Sequence, residues 1–214
     1  MITVNQFVFN PFQENTFVLF DETKEAVIVD PGCYSVNEQN ALTSFVRENG
    51  LKVIYTLNTH CHVDHILGID FAKETFGAKS VAHAEDQLLL QTAVQHAMAF
   101  GLALESAPSI DTTVEHGDTI TFGNSALQVI HTPGHSLGGI CFYHAQQKML
   151  FAGDTLFRGS IGRTDLPGGD FDTIIESIAQ RLLVLPDDVT VYSGHGDSST
   201  IGFEKAKNPF LANI

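Results

Sequence analysis

Thr59-His60-Cys61-His62-Val63-Asp64-His65 places three histidines and an aspartate within six consecutive positions. The stretch follows Leu51–Leu57, an apolar and β-branched run that reads as a strand. On extended backbone, residues two apart point to the same side, so His60 and His62 converge on one ion. Asp64 and His65 are neighbours at the start of a helix, where the chain turns, and face a second ion a few ångströms away. Imidazole and carboxylate are the ligands that zinc and similar borderline metals accept. A chance match to H-x-H-x-D-H in a chain of this composition is on the order of one in a thousand.

Four ligands do not fill two sites. Three further residues sit at strand ends in glycine-rich turns: His135 in Thr132-Pro133-Gly134-His135-Ser136, Asp154 in Phe151-Ala152-Gly153-Asp154-Thr155, and His195 in Ser193-Gly194-His195-Gly196. Glycine beside each lets the backbone approach closely. A carboxylate has two oxygens, so Asp154 is the natural bridge between two cations. Two divalent ions per chain are therefore expected, zinc first, with iron or manganese as alternatives.

Working outward, strands are expected at Thr3–Phe9, Thr16–Phe20, Ala26–Val29, Leu51–Leu57 and Lys79–Ala82, then at Thr119–Phe122, Leu127–His131, Ile140–Tyr143, Met149–Ala152 and Val189–Tyr192. Helices are expected over Val36–Glu48, stopped by Asn49-Gly50, over Ile69–Phe76, stopped by Gly77, and over Phe171–Leu183 and Ile201–Lys207. Glu85–Leu104 reads as one long helical stretch, packed on the core or walling a cleft. Hairpin-like runs of strands with helices interspersed predict two mixed sheets covered by helices, an α/β architecture. No linker or repeat divides the chain, so a single domain over residues 1–214 is expected.

The formal net charge of −14, from 25 acids and 11 bases, argues against a nucleic-acid partner and against an anionic membrane surface. Cys33, Cys61 and Cys141 have no paired spacing, which fits a reducing compartment. The opening Met1-Ile2-Thr3-Val4 lacks the basic and apolar regions of a signal peptide, and no apolar run approaches membrane-span length. A cytoplasmic protein acting on a small-molecule substrate is expected.

The set Thr59–His65, His135, Asp154 and His195, in that order, resembles the metallo-β-lactamase superfamily. The segment from Phe157 to Asp170, with Gly194–Gly196 and Asn208-Pro209-Phe210, is similar to the small glyoxalase II-like (hydroxyacylglutathione hydrolase) subgroup. The likeness runs from Pro11-Phe12-Gln13-Glu14-Asn15 onward. It implies a four-layer αββα sandwich with the metals in a cleft at one sheet edge. It further implies that His60, His62 and His135 hold the first ion, that Asp64, His65 and His195 hold the second, and that Asp154 bridges. Asp64 and Asp154 are then the catalytic carboxylates, and a metal-bridging hydroxide attacks a hydroxyacylglutathione-like thioester. The alternative implied by a related subgroup is an iron-dependent, persulfide dioxygenase-like oxidoreductase. Full-length glyoxalase II has a helical C-terminal domain that contributes glutathione contacts. Here the last motif is followed at once by the final residues, so weak glutathione recognition is expected.

Cys61 alternates away from His60 and His62, so its thiol is expected to pack. His83, His96, His116, His131 and His144 lack motif context, His131 alone standing near enough to His135 to brace it. Asp165 either orients a ligand histidine or caps its turn. Arg158 and Arg163 either bind an anionic substrate or tie the loop down, with Lys205 and Lys207 as the other cations near the motifs.

Overall fold

The computed structural model describes residues 1–212. Strands β1 (Thr3–Phe9), β2 (Glu14–Phe20) and β3 (Glu25–Val29) form an antiparallel meander. Parallel pairing then takes over through β4 (Lys52–Leu57), β5 (Lys79–His83) and β6 (Thr112–Val114). The second sheet begins with β7 (Thr119–Phe122), β8 (Ser125–His131), β9 (Ile140–His144) and β10 (Met149–Gly153), all antiparallel. A small hairpin, β11 (Leu156–Phe157) with β12 (Ser160–Ile161), precedes β13 (Thr190–Ser193) and β14 (Ser199–Thr200). β13 joins β10 in parallel and β14 closes the edge.

Period-two alternation sets the layering. Phe17, Leu19, Val27 and Val29 of the first sheet meet Leu127, Val129, Phe142 and Phe151 of the second in one core between the sheets. Their alternates face outward and are also buried. Val18, Ala26 and Ile28 pack on α1 (Val36–Glu48) and α3 (Ile69–Phe76) through Leu42, Val46 and Ala72. Cys141 and Leu150 pack on α6 (Phe171–Ser177) and α7 (Ile201–Lys207) through Ile174 and Ile201. Strands buried on both faces need helices on both faces, and the fold is the expected αββα sandwich.

Helix α1 forms with its expected bounds, opened by a capping box between Ser35 and Glu38. The stretch Glu85–Leu104 does not form one helix. It breaks into a 3₁₀ turn (Ala84–Asp86), α4 (Gln87–Gln91) and α5 (Ala93–Ala99), and ends before Gly101, whose φ is +74°. At the break, the Thr92 hydroxyl donates to the Leu88 carbonyl (3.0 Å), which also accepts from the Thr92 backbone N–H (3.2 Å). Phe171–Leu183 likewise starts as α6 and finishes as a π turn over Ile178–Leu182. The short strands β6, β11, β12 and β14 carry too few alternating residues to show in the sequence. Among the described residues no helix is long and apolar enough to cross a membrane.

Candidate metal centre

β3, β4, β8, β10 and β13 all deliver their following turns to one edge of the sandwich. The turn after β4 carries His60 and His62 and runs into a one-turn helix, α2 (Val63–Ile66), which holds Asp64 and His65. His62 keeps extended backbone (φ −66°, ψ 153°) immediately before that helix, so the chain changes direction between the second and third candidate ligands. Two amides lock the turn: Asn58 Nδ2 donates to the His65 carbonyl (2.8 Å) and Asn10 Nδ2 to the Asp64 carbonyl (2.9 Å).

The structure brings all seven candidate ligands together. His62 Nδ1 lies 2.9 Å from His135 Nε2, which lies 3.2 Å from His60 Nε2. His195 Nε2 lies 3.2 Å from Asp64 Oδ2, and His65 Nε2 3.6 Å from the same oxygen. Each trio offers three ligand atoms within 4.8 Å of one another. Asp154 stands between the trios, with Oδ1 3.5 Å from His65 Nε2 and Oδ2 3.6 Å from both His135 Nε2 and His195 Nε2.

Neighbouring groups fix which nitrogen of His60, His135 and His195 faces inward. His135 Nδ1–H donates to the Arg163 carbonyl (2.8 Å), and His195 Nδ1–H to the Phe12 carbonyl (3.1 Å). Asp30 accepts from the Thr59 backbone N–H (2.7 Å) and hydroxyl (2.6 Å), so that hydroxyl oxygen is left to accept from His60 Nδ1–H at 3.1 Å. Asp30 Oδ2 also lies 3.1 Å from His65 Nδ1. With their outer Nδ1 atoms protonated, His60, His135 and His195 point their Nε2 lone pairs at the centre, the arrangement that orients metal-bound histidines, whereas His62 turns Nδ1 inward.

Burial and the crowding of imidazoles push His60 well below the ordinary histidine range and His62 down to about 3, keeping both neutral as ligands must be. Burial would raise Asp64, but the His65 charge and a hydrogen bond from His195 outweigh it and hold the carboxyl well down. His65 is pushed the opposite way: burial disfavours its charge, yet Asp64, Asp154 and Asp30 raise it well above its usual value. His65 Nε2 and Asp154 Oδ1 are both buried and lack any hydrogen-bond partner. Each such orphan costs about 1–3 kcal/mol, and a cation between them satisfies both. The donor set and its orphans fit two divalent ions.

Only glycine fits at Gly194, where a Cβ would stand 2.7 Å from His65 Cε1 and closer still to Asp154 Oδ1. A cavity of about 350 Å³ opens over the centre. It is walled by Phe12, Ala99 and Phe100 on one side and by Leu166 and Pro167 on another, so the segment around α5 does face the cleft.

The residues whose roles the sequence leaves open take distinct places. Asp165 orients no ligand. It makes a bidentate pair with Arg163 (2.7 Å for both bonds), and the Arg163 carbonyl holds His135 instead. Arg163 lines the cavity. Arg158 lies outside it, its guanidinium 4.9 Å from the Phe203 ring centroid and donating to the Ser198 carbonyl. Lys205 pairs with Asp187. His131 stacks on His83 (4.2 Å between centroids) and lies 2.9 Å from the Leu137 carbonyl, bracing the loop of His135 without touching that ring. His96 lines the cavity, unlike the other histidines without motif context. The Cys61 thiol is buried among Ile66, Ile69, Ala82 and Leu89, as expected of a packing residue, and burial pushes it up.

Sequence reasoning missed two carboxylates. Asp30 reads only as the end of a strand in Asp30-Pro31-Gly32; its φ of +49°, rare for a residue with a side chain, marks a constrained site visible only in three dimensions. Asp86 is buried and ties two ligand loops together. Oδ2 accepts from the Cys61 backbone N–H (2.8 Å) and the Ser136 hydroxyl (3.2 Å), and Oδ1 from the Gly138 N–H (2.7 Å). Nothing in Ala84-Glu85-Asp86-Gln87 signals that role.

The profile of the metallo-beta-lactamase superfamily matches residues 9–195. Hydroxyacylglutathione hydrolase GloC of Haemophilus influenzae is 37% identical over 207 residues, 94% of this chain and 93% of that one. Among solved structures, BLEG-1 B3 metallo-beta-lactamase superposes with a TM-score of 0.89 at 35% identity, covering 99% of this chain and 100% of that one. TTHA1623, solved in a di-iron-bound form, gives 0.87 at 36% identity, covering 97% and 100%.

Proposed function

The chain belongs to the metallo-β-lactamase superfamily, and on that premise we propose that it is a two-metal thioester hydrolase acting on hydroxyacylglutathione-like substrates. The observation that carries the two-metal reading is the position of Asp154, whose carboxylate stands between the His60–His62–His135 and Asp64–His65–His195 trios. The likeness to a protein named hydroxyacylglutathione hydrolase supports the substrate class.

Two divalent ions bound there would supply Lewis acidity and lower the pKa of a bound water toward neutrality. The first trio would hold one ion and the second the other, with the Asp154 carboxylate standing between them. Arg163, Phe12 and Asp30 fix the ligand rings from behind, so little reorganisation is left for the reacting state. Outside the seven ligands, the titratable side chains lining the cavity are His96 and Arg163. Arg163 remains charged, so the cavity is poor in general acids. A thiolate leaves without strong protonation, whereas an alkoxide or amide nitrogen needs it, which favours thioesters.

A second reading rests on the trio Asp64, His65 and His195, a two-histidine, one-carboxylate set of the kind that suits iron, and on the likeness to a protein solved with two irons. It is an iron-dependent oxidoreductase acting on sulfur substrates. Elemental analysis of protein purified without added metal, with parallel assays of thioester cleavage and oxygen uptake on a persulfide, separates the two. Zinc or mixed metal with thioester turnover supports hydrolysis. One iron per chain with oxygen uptake and no thioester cleavage overturns it.

A further inference from the structure

The hydrolytic reading leaves the acyl group unspecified, and the cavity beside the centre bears on it. The walls nearest the ligands are hydrocarbon: Phe12 and Phe100 meet edge to face (5.3 Å between centroids), and Leu166 and Pro167 stand on another side. Ala97 and Leu102, three positions before Phe100 and two after it, are buried with Val63, which sits between the candidate ligands His62 and Asp64. Yet Phe100 itself is 52% exposed, a large apolar face turned to an open space beside a polar centre. Of the cations near the motifs, three are paired or stacked within the protein, and among these Arg163 alone lines the cavity. Arg163 is held in both bonds by Asp165, Arg158 lies over Phe203, and Lys205 pairs with Asp187. His96 is the remaining polar side chain of the cavity that is neither a ligand nor paired with an acid. The charge of the whole chain, −14, opposes an anion further.

We propose that this cavity is an acyl-binding subsite that selects thioesters of apolar acyl groups, and that the glutathione portion is not a main source of recognition. The inference rests on the thioester-hydrolase reading. The carbonyl carbon must reach the ligand cluster on the cavity floor. An acyl chain then covers Phe100, Phe12 and Leu166, while the thiol portion extends toward the mouth. The reaction balances as simple hydrolysis: the oxygen of one water bonds to the carbonyl carbon, and the carbon–sulfur bond breaks. The thiolate leaves with the bonding pair and takes up the second proton of the water, so that a carboxylic acid and a thiol are formed. A cavity of about 350 Å³ lies at the small end of the range for small-molecule sites, enough for a short chain or a ring.

The test uses metal-loaded protein and two substrate series. In the first the thiol is the uncharged N-acetylcysteamine and the acyl group grows from acetyl to hexanoyl. In the second the acyl group is fixed and glutathione is compared with N-acetylcysteamine. Each methylene that enters the cavity is expected to raise kcat/KM about two- to fourfold, and Phe100→Ala flattens that slope. Glutathione gives no more than a few-fold advantage over the uncharged thiol. A flat acyl series, an unchanged slope in Phe100→Ala, or a steep preference for glutathione overturns the proposal. Calorimetric titration with the matching non-hydrolysable thioethers reads the same subsite without turnover. Dissociation constants that fall with chain length support the subsite even if no thioester is cleaved, which would overturn the hydrolase reading instead. Constants that do not change with chain length overturn the subsite.

Discussion

His65 faces two carboxylates with its two ring nitrogens: Nδ1 lies 3.1 Å from Asp30 Oδ2, and Nε2 lies 3.5 Å from Asp154 Oδ1. Asp30 thus stands behind a candidate ligand and Asp154 in front of it. A carboxylate behind an imidazole fixes its tautomer and raises its basicity toward a metal. Asp30→Asn is expected to weaken metal binding about 10- to 100-fold. Competition against a chromogenic chelator measures the change. Unaltered affinity in a folded variant would remove Asp30 from this role.

Asp86 joins the loop of His60 and His62 to the loop of His135 through the Cys61 and Gly138 backbone N–H groups. Asp86→Ala leaves both donors buried without a partner, at about 1–3 kcal/mol each. Denaturant unfolding should show that loss of stability, and kcat should fall more than KM rises because the ligand loops lose their mutual register. A variant with wild-type stability and turnover would contradict the assignment.

Asp154→Ala and Cys61→Ala separate two adjacent possibilities. Asp154 reaches both trios, so its loss should remove metal and activity together. Cys61 contributes a buried thiol in an apolar cluster, and Cys61→Ala should cost about 1 kcal/mol of stability while leaving turnover near the parent value. Metal content and kcat for both variants decide the matter. Inactive Cys61→Ala protein with fold and metal intact would mean that the thiol does more than pack.

Away from the centre, Asp21 links two turns of the opposed sheets. It accepts from the Thr23 hydroxyl (2.5 Å) and backbone N–H (2.9 Å), from the Ser125 hydroxyl (2.8 Å) and from the Asn124 backbone N–H (2.7 Å). Burial alone would raise its carboxyl; these bonds outweigh burial and lower it from 3.8 to about 2. Because the folded value lies below the unfolded one, the stabilisation is present above about pH 4 and is lost as pH falls toward 2. It amounts to about 2 kcal/mol. Urea unfolding of the parent and of Asp21→Asn across that window should show the parent losing about that much more than the variant. Parallel pH curves would contradict this.

Much of the fold and most of the ligand set are legible in the sequence, for different reasons. Strands such as Thr3–Phe9 and helices such as Val36–Glu48 are visible because alternation, capping and a glycine stop act locally. The seven candidate ligands are visible because metal chemistry restricts residue type, because four of them crowd into one short segment, and because His135, Asp154 and His195 sit in glycine-marked turns. What escapes is non-local. The expected long helix is interrupted at Thr92, which nothing in the composition there reveals. Asp30 and Asp86 act on loops 29 and 25 residues away along the chain. Arg163 contributes a backbone carbonyl to His135, which any residue could supply, so its side chain misleads.

The central claim is that two ions share one centre across Asp154. Metal-free protein titrated with zinc or iron, with thioester hydrolysis and bound metal followed together, tests it most directly. Activity is predicted to rise until two equivalents are bound and then to level off, with Asp154→Ala failing to retain the pair. Full activity at one equivalent, with no second ion taken up at higher concentration, would contradict the two-metal account.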